Sequence, residues 1–389
     1  MGFPVGKVAV VGVYTTEHGK RLGRTKHSLE LEAIKGALDD AGLSANDVDG
    51  LLPLLAEPWS KTHMFWAEQL GQRPISYCGT GQGQGAAAKG AVAIASGMCN
   101  VAVAFWGSAG ATNSPGSVGI PDRAPRVSEF AYLWQTLGAY MTPLYALWAQ
   151  RYMHEFGVTS EQLAEVAVIA REHAMLNPAS VMGGRGPITV EDVLNSRMIA
   201  DPLHLFDCAI ENDGGYAFVL ASEEVARNCR REPIWILGGA EATATDVYTT
   251  FVDPWFPETG FGVRRCADLA FDMAGVTRDD IDVAWLYDCF TVTFLRDLEE
   301  MGFCKIGEGG DYVQSGATRL GGAMPCNTDG GLLSNSHTGN PSGMGVIELV
   351  RQLRRDAGER QVEGASIGAT LGQGGSVHGL ASTLILGRG

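Results

Sequence analysis

The segment Asn327–Gly345, NTDGGLLSNSHTGNPSGMG, sets one imidazole, His337, among glycines, serines and asparagines just ahead of an apolar helical run, GMGVIELVRQLRR. A free imidazole titrates at about pH 6.5, so near neutrality it can take up or release a proton. The small polar flanks differ from the apolar periodic face around a core histidine, which makes His337 the candidate general base. Tyr287-Asp288-Cys289-Phe290 follows the apolar run Val283–Leu286 and so falls at the C-terminal end of a strand. Tyr287 reads either as a proton-transferring phenol or as a buried aromatic with its hydroxyl tied to backbone. Asp288 reads either as support for the site or as a cap on the turn.

The elements that must position these groups are written twice. AIKGALDDAGLSANDVDGLL (Ala33–Leu52) and LAFDMAGVTRDDIDVAWLYD (Leu269–Asp288) share Ala-Gly-aliphatic-Ser/Thr-x-Asn/Asp-Asp-aliphatic-Asp. Each predicts an amphipathic helix stopped by glycine, a turn capped by Ser44 with Asp47 or Thr277 with Asp280, and then a strand. Two copies imply a duplicated α/β unit. Gly85–Gly97 running into VAVAFWG (Val101–Gly107) likewise matches Gly345–Arg355 running into ASIGATLG (Ala365–Gly372). The continuous apolar strands, with Val8–Val13, Tyr216–Leu220, Ile234–Leu237 and Ser382–Leu386 among them, predict parallel sheets covered on both faces. Between the halves lie a Gly/Pro-rich stretch, Gly107–Arg126, and a helical insertion with caps at Thr159/Gln162 and Thr189/Asp192.

With 389 residues, 45% hydrophobic and 19% charged, the chain is long enough for two cores. A net charge of -15, with no basic run longer than Arg351–Arg355, argues against nucleic acid or anionic membranes as partners. The N-terminus lacks a signal-peptide pattern and no apolar run reaches the roughly 20 residues of a spanning helix, so the expected location is cytoplasmic. Eight cysteines without a C-x-x-C pair predict neither a zinc ribbon nor a disulfide framework; most read as small buried hydrophobes.

The segments Ile188–Leu220 (ITVEDVLNSRMIADPLHLFDCAIENDGGYAFVL), Tyr287–Phe290, Leu298–Val313 (LEEMGFCKIGEGGDYV) and the His337 loop resemble the thiolase superfamily, in particular its sterol-carrier or nonspecific lipid-transfer-protein group. The resemblance implies an α/β thiolase fold with duplicated βαβαβαββ halves in five layers. Residues 1–125 would form the first half, 126–210 a helical loop-domain insertion, 211–232 the return strand and 233–389 the second half. The family nucleophile position falls on Thr80, with Gly81 and Gly83 as the following glycines; Cys78, two residues early, stays the alternative. The second family cysteine matches Thr370, in Thr370-Leu371-Gly372. A threonine hydroxyl is too weak an acid to replace either thiol unassisted.

What the resemblance retains is a scaffold for a thioester enolate: His337, the Tyr287-Asp288 turn, and backbone amides around Gly374 and Gly375 as oxyanion donors. The cysteine-less steroid side-chain aldolases of the lipid-transfer group share the Tyr-Asp-x-Phe turn and the Asn-Thr-x-Gly-Gly loop; in them two tyrosines are implicated in proton transfer. One is matched by Tyr287, the other by His337. The expected activity is retro-aldol cleavage of a β-hydroxyacyl-CoA, with a steroid side chain as one acyl class. His337 would take the hydroxyl proton, Tyr287 would orient or protonate, and Asp288 would support them. The alternatives are a degradative thiolase or acyltransferase using Cys78 or Cys289, and an acyl-CoA- or lipid-binding subunit without turnover. No bound cofactor or metal is expected, the coenzyme A thioester being the substrate. Arg123, Arg126 and Arg185 offer cations to its diphosphate, and Trp59, Trp66, Trp106, Trp134 and Trp148 offer apolar surface to its acyl group. The family further implies a homodimer formed through Val101–Trp106 and a separate OB-fold and zinc-ribbon partner protein.

Overall fold

A computed structural model of the chain describes residues 3–53, 62–71, 73–81, 83–113, 141–243, 262–338, 341–374 and 380–389. Arg123, Arg126, Trp59, Trp134 and Gly375 lie outside the described residues.

The duplication is visible strand by strand. In the first half β1 (Val8–Thr15), β2 (Gly50–Pro53), β3 (Tyr77–Cys78), β4 (Val101–Ser108) and β7 (Gly214–Ser222) frame the helices Lys26–Ala41, Thr62–Gln69 and Gly83–Ala95. In the second half β8 (Ile234–Thr243), β9 (Val283–Trp285), β10 (Ile367–Gly374) and β11 (Leu380–Gly387) frame Gly262–Ala274 and Gly343–Leu353. The sheet order β3-β2-β4-β7-β1-β8-β11-β10-β9 reads as one half followed by its reverse, joined edge to edge by the short antiparallel pairing of β1 with β8. Cys326, which bridges Ala284 in parallel, repeats the pairing of Cys78 with Leu51.

Local chemistry accounts for the repeat. Gly42 and Gly275 close their helices at φ 75° and 68°, which glycine adopts without a Cβ penalty. Ser44 with Asp47 and Thr277 with Asp280 form the expected caps. The last aspartate of each copy then reaches across to the next strand: Asp49 accepts from Asn100 and Val101, and Asp282 from Ser366 and Ile367. The caps at Thr159/Gln162 and Thr189/Asp192 also form.

Alternation along the strands sorts side chains into layers. Ala9, Val11, Val103 and Val219 pack against Ala33, Ile34, Ala37 and Leu38 of the outer helix Lys26–Ala41. Val8, Val10, Ala102 and Leu220 face the other way, into the large core shared with the second half. Helices Gly83–Ala95 and Gly343–Leu353 contact strands of both halves, while Gly262–Ala274 covers β8 and β11 from outside. The result is five layers, helix, sheet, helix, sheet, helix.

Two expectations are corrected. The sheet is mixed: only β2–β3, β2–β4 and β9–β10 run parallel, the other pairs antiparallel. Continuous apolar strands report burial on both faces, and β1 and β7 have that burial as antiparallel strands between two helical layers. Val101–Trp106 lies in β4, paired with β2 on one side and β7 on the other, so it offers no open edge to a second subunit. The edge strand of the first half is β3.

Between β4 and β7 stand the helices Met141–Phe156, Ser160–Met175 and Val190–Leu194 and the hairpin β5–β6 (Met198–Ala200, Leu203–His204). Among the described residues no helix is long and apolar enough to cross a membrane.

Candidate functional site

The two repeats converge where their central helices begin. A Cβ added at Gly83 would lie 2.4 Å from the backbone nitrogen of Gly343, so the two helix starts touch because glycine stands at 83, while a Cβ at Gly343 would meet the Tyr216 ring. Their positive dipole ends meet there. Strand β10 enters that region through Thr370, whose hydroxyl accepts a 2.8 Å hydrogen bond from Gln84 Nε2 across the two halves. Thr80 lies in the turn between β3 and the Gly83 helix.

His337 arrives on a loop held at almost every residue. Asn327, at φ 50°, accepts from Leu286 N through Oδ1 at 2.7 Å and donates to Leu286 O through Nδ2 at 2.8 Å, acting as a strand partner for the residue before Tyr287. His173 Nδ1 meets Asn327 O and its Nε2 accepts from Leu320 N, a structural use of a neutral imidazole. Asp329 accepts from Trp285 Nε1 and Gly331 N. Gly330 and Gly331 take φ 103° and 59°, a conformation that side chains resist, and start the wide π-helical turn Gly331–Asn335. Asp288 caps that turn, accepting from Leu332 N at 2.8 Å and Leu333 N at 3.3 Å. The cap is thus on the His337 loop and not on the turn after its own strand, and it ties the Tyr287 turn to that loop.

Asn212, at the entry to β7, completes the clamp: its Oδ1 accepts from His337 N at 2.7 Å and its Nδ2 donates to Ser336 Oγ at 3.0 Å. On the far side Trp106 Nε1 donates to Thr338 O. The His337 and Tyr287 rings stand edge to face, 6.5 Å between centroids. His337 Nδ1 and Thr338 Oγ1 are buried without a hydrogen-bond partner among the described residues.

Burial sets the charge states. It pulls the His337 imidazole down to about 4, leaving a neutral ring at pH 7. The Tyr287 phenol is pushed well above its usual 10 by burial, with Cys289 and Asp288 adding to the rise, so it stays protonated. Burial raises the Asp288 carboxyl to about 7 against the pull of the two amides it accepts from.

Cys78, itself exposed, lies on the edge strand β3, with its thiol shifted up by burial. Cys289 is buried, and its thiol is raised further still. Gly374 ends β10 opposite Leu380. Tyr145 of the insertion packs on Phe290, ring centroids 4.5 Å apart, and Trp148 packs on Tyr145 at 6.2 Å. Trp66 belongs to the outer core, and Trp106 lies under Lys26. Arg185 is exposed on a short turn of the insertion. Among the described residues no group of three or more His, Cys, Asp or Glu is arranged to hold a metal ion.

Sequence reasoning missed Asn212, Gln84 and the side-chain role of Asn327. Asn212 in Asn-Asp-Gly-Gly ahead of an apolar strand was the available signal; its partner lies 125 residues away.

The family model described as Thiolase C-terminal domain-like matches residues 255–388. The chain is 36% identical to a steroid side-chain-cleaving aldolase of Thermomonospora curvata, over 96% of this chain and 97% of that one. It is 34% identical to an acetyl-CoA acetyltransferase of Methanothermobacter thermautotrophicus, over 98% and 99%. Among solved structures, an Ltp2-ChsH2(DUF35) aldolase superimposes with a TM-score of 0.86 at 34% identity, over 99% of each chain.

Proposed function

The chain belongs to the thiolase superfamily, in its sterol-carrier-like group near the steroid side-chain aldolases, and from that premise we propose that it is a retro-aldolase acting on a β-hydroxyacyl-CoA, a steroid side chain being one acyl class. The observation that carries this reading is a neutral imidazole, its Nδ1 without a hydrogen-bond partner among the described residues, edge to face with a protonated phenol, where this reading sets threonines at both family cysteine positions.

His337 accepts the proton of the β-hydroxyl. The C–O bond becomes a ketone C=O, the Cα–Cβ bond breaks, and its electron pair passes to the thioester as an enolate. The helix starts at Gly83 and Gly343 and the backbone near Gly374 are the donors this reading assigns to that enolate oxygen. Tyr287 keeps its proton and so serves as donor or orienting group. The α-carbon takes up a proton, releasing a ketone and the shortened acyl-CoA. Thr370, bonded to Gln84, fills the space of the second thiol without its acidity, and Thr80 replaces the nucleophile. Asp288 acts through the loop it caps.

A thiolase or acyltransferase using Cys78 or Cys289 is the second reading, favoured by the identity to the acetyl-CoA acetyltransferase. Burial raises both thiols, which weakens it. We read the chain as two halves, 1–125 with 211–232 and 233–389, carrying 126–210 as an insertion. The assembly we infer is a homodimer that works with an OB-fold and zinc-ribbon protein, a reading supported by the paired proteins of the Ltp2-ChsH2(DUF35) aldolase.

The test incubates the protein, with and without such a partner, with a β-hydroxyacyl-CoA and separately with a β-ketoacyl-CoA plus free coenzyme A, followed by mass spectrometry. Carbon loss from the hydroxy substrate alone is expected. His337→Ala and Tyr287→Phe should each lower it by about 10²-fold or more. Cleavage of only the keto substrate would reverse the assignment.

A further inference from the structure

Two buried polar atoms without a hydrogen-bond partner among the described residues stand side by side at the junction of the halves. They are Gln84 Oε1 and Ser382 Oγ, on residues 0% and 3% exposed. Leaving one such atom unmet inside a core is costly, and here two are unmet together. Neither takes part in the proton transfers assigned above.

Strand register places them. β10 and β11 pair antiparallel with Gly372 opposite Ser382 and Thr370 opposite Leu384, and β11 pairs with β8 so that Ser382 stands opposite Glu241. Residues directly opposite, and those two apart on one strand, share a face. Thr370, Gly372, Ser382 and Glu241 therefore line one side of the sheet, the side toward the helices Gly83–Ala95 and Gly343–Leu353. A Cβ at Gly345 would meet Thr370 Oγ1, one at Gly372 would meet Gln84 Oε1 and Ser342 Cβ, and one at Gly85 would meet Glu241 Oε1. Gln84 thus lays its amide where Gly372 has no side chain. Thr370 holds Nε2 at 2.8 Å and so turns Oε1 toward the Gly372–Ser382 pair. Side chains directly opposite in such a pair lie about 4.5–5.5 Å apart at Cβ, a gap that one water bridges between an acceptor and a hydroxyl. Thr370 also pairs in parallel with Trp285, two residues before Tyr287, which brings this polar pocket to the reacting groups.

We propose that Gln84, Ser382 and Thr370 hold the water that protonates the α-carbon of the thioester enolate, which leaves Tyr287 as the orienting group. The proposal rests on the enolate reading above. Gln84 Oε1 accepts one hydrogen of the water, Ser382 Oγ donates to its oxygen, and the second hydrogen is left for the enolate. The enolate electron pair forms the new Cα–H bond, the water O–H bond breaks, and its electrons stay on a hydroxide that the Ser382 hydroxyl stabilises. That hydroxide and the imidazolium of His337, which carries the β-hydroxyl proton, neutralise each other through solvent. Thr370 meets no reacting atom and is a positioning residue, acting through the amide it orients.

Reversibility supplies a test that needs no carbon–carbon cleavage, because the same water must exchange the α-hydrogens of a saturated thioester. Acetyl-CoA is incubated with the full-length protein in deuterium oxide, deuterium uptake is read by mass spectrometry, and Kd is measured by isothermal titration. The expected result is exchange lowered about tenfold or more in Ser382→Ala and Gln84→Leu at unchanged Kd, lowered likewise in Thr370→Val and restored in Thr370→Ser. Ser382→Ala removes a single buried oxygen, so its fold is preserved even where Gln84→Leu or Thr370→Val unfolds. Unchanged exchange in Ser382→Ala, with a melting temperature raised by loss of an unpartnered hydroxyl, would overturn the proposal. No exchange by the unsubstituted protein would overturn it too. Exchange that depends on Ser382 in a protein that leaves the β-hydroxyacyl-CoA uncleaved would support the water site and remove only the retro-aldol assignment.

Discussion

At the scale of single residues the account depends on two groups whose proton states are fixed by burial. An imidazole brought down to about 4 is neutral through the physiological range, and a phenol raised above 10 keeps its hydrogen. The sign follows from desolvation, which disfavours the charged form of each. A titration of carbon-13-labelled histidine followed by NMR should show one imidazole, identified by its loss in His337→Asn, that stays neutral from pH 8 down to about pH 5 and protonates only as the pH nears 4. Because the base is the neutral ring, His337 should impose no loss of cleavage between pH 8 and 5. An inflection of that resonance near 6.5 would mean a solvated ring and remove the burial argument.

At the scale of elements, the His337 loop is a device for carrying one side chain from the second repeat to the junction of both. Gly331 tests it. At φ 59°, with Asp288 Oδ2 only 2.2 Å from where a Cβ would stand, Gly331→Ala is strained in backbone and contact alike. Thermal unfolding should report a loss of about 1–3 kcal/mol, with a fall in cleavage that a remote destabilising substitution of equal size does not produce. The same loop marks the limit of what the sequence discloses. Gly42, Ser44, Asp47 and their second-half counterparts Gly275, Thr277 and Asp280 are readable because each acts within a few residues. His337, Tyr287 and Asp288 stand out for residue type and flanks. Asn327, His173 and Asn212 do not, since their partners lie 41 to 154 residues away and neither spacing nor periodicity records such a bond. Strand direction was hidden for a related reason: an apolar run encodes burial, which parallel and antiparallel strands share.

At the scale of the whole molecule, the proposed site draws on two chemically unequal halves, the first giving the Thr80 turn and Gln84, the second His337, Tyr287 and Thr370. It also leaves one edge open. Tyr77 N and Gly79 N bond inward to Asp49 O and Leu51 O, so the intervening N–H of Cys78 points to the free side of β3. An unpaired strand edge invites a second copy. Cys78→Pro removes the outward donor while sparing both inward bonds, and light scattering should then find a 41.3 kDa monomer in place of a dimer. A dimer that survives would place the interface elsewhere.

The central claim is that a thioester enolate is handled without sulfur, and intact-protein mass spectrometry of the enzyme quenched during turnover tests it most directly. The account predicts accumulating ketone and a protein of unchanged mass; an acyl adduct located on Cys78 would contradict it.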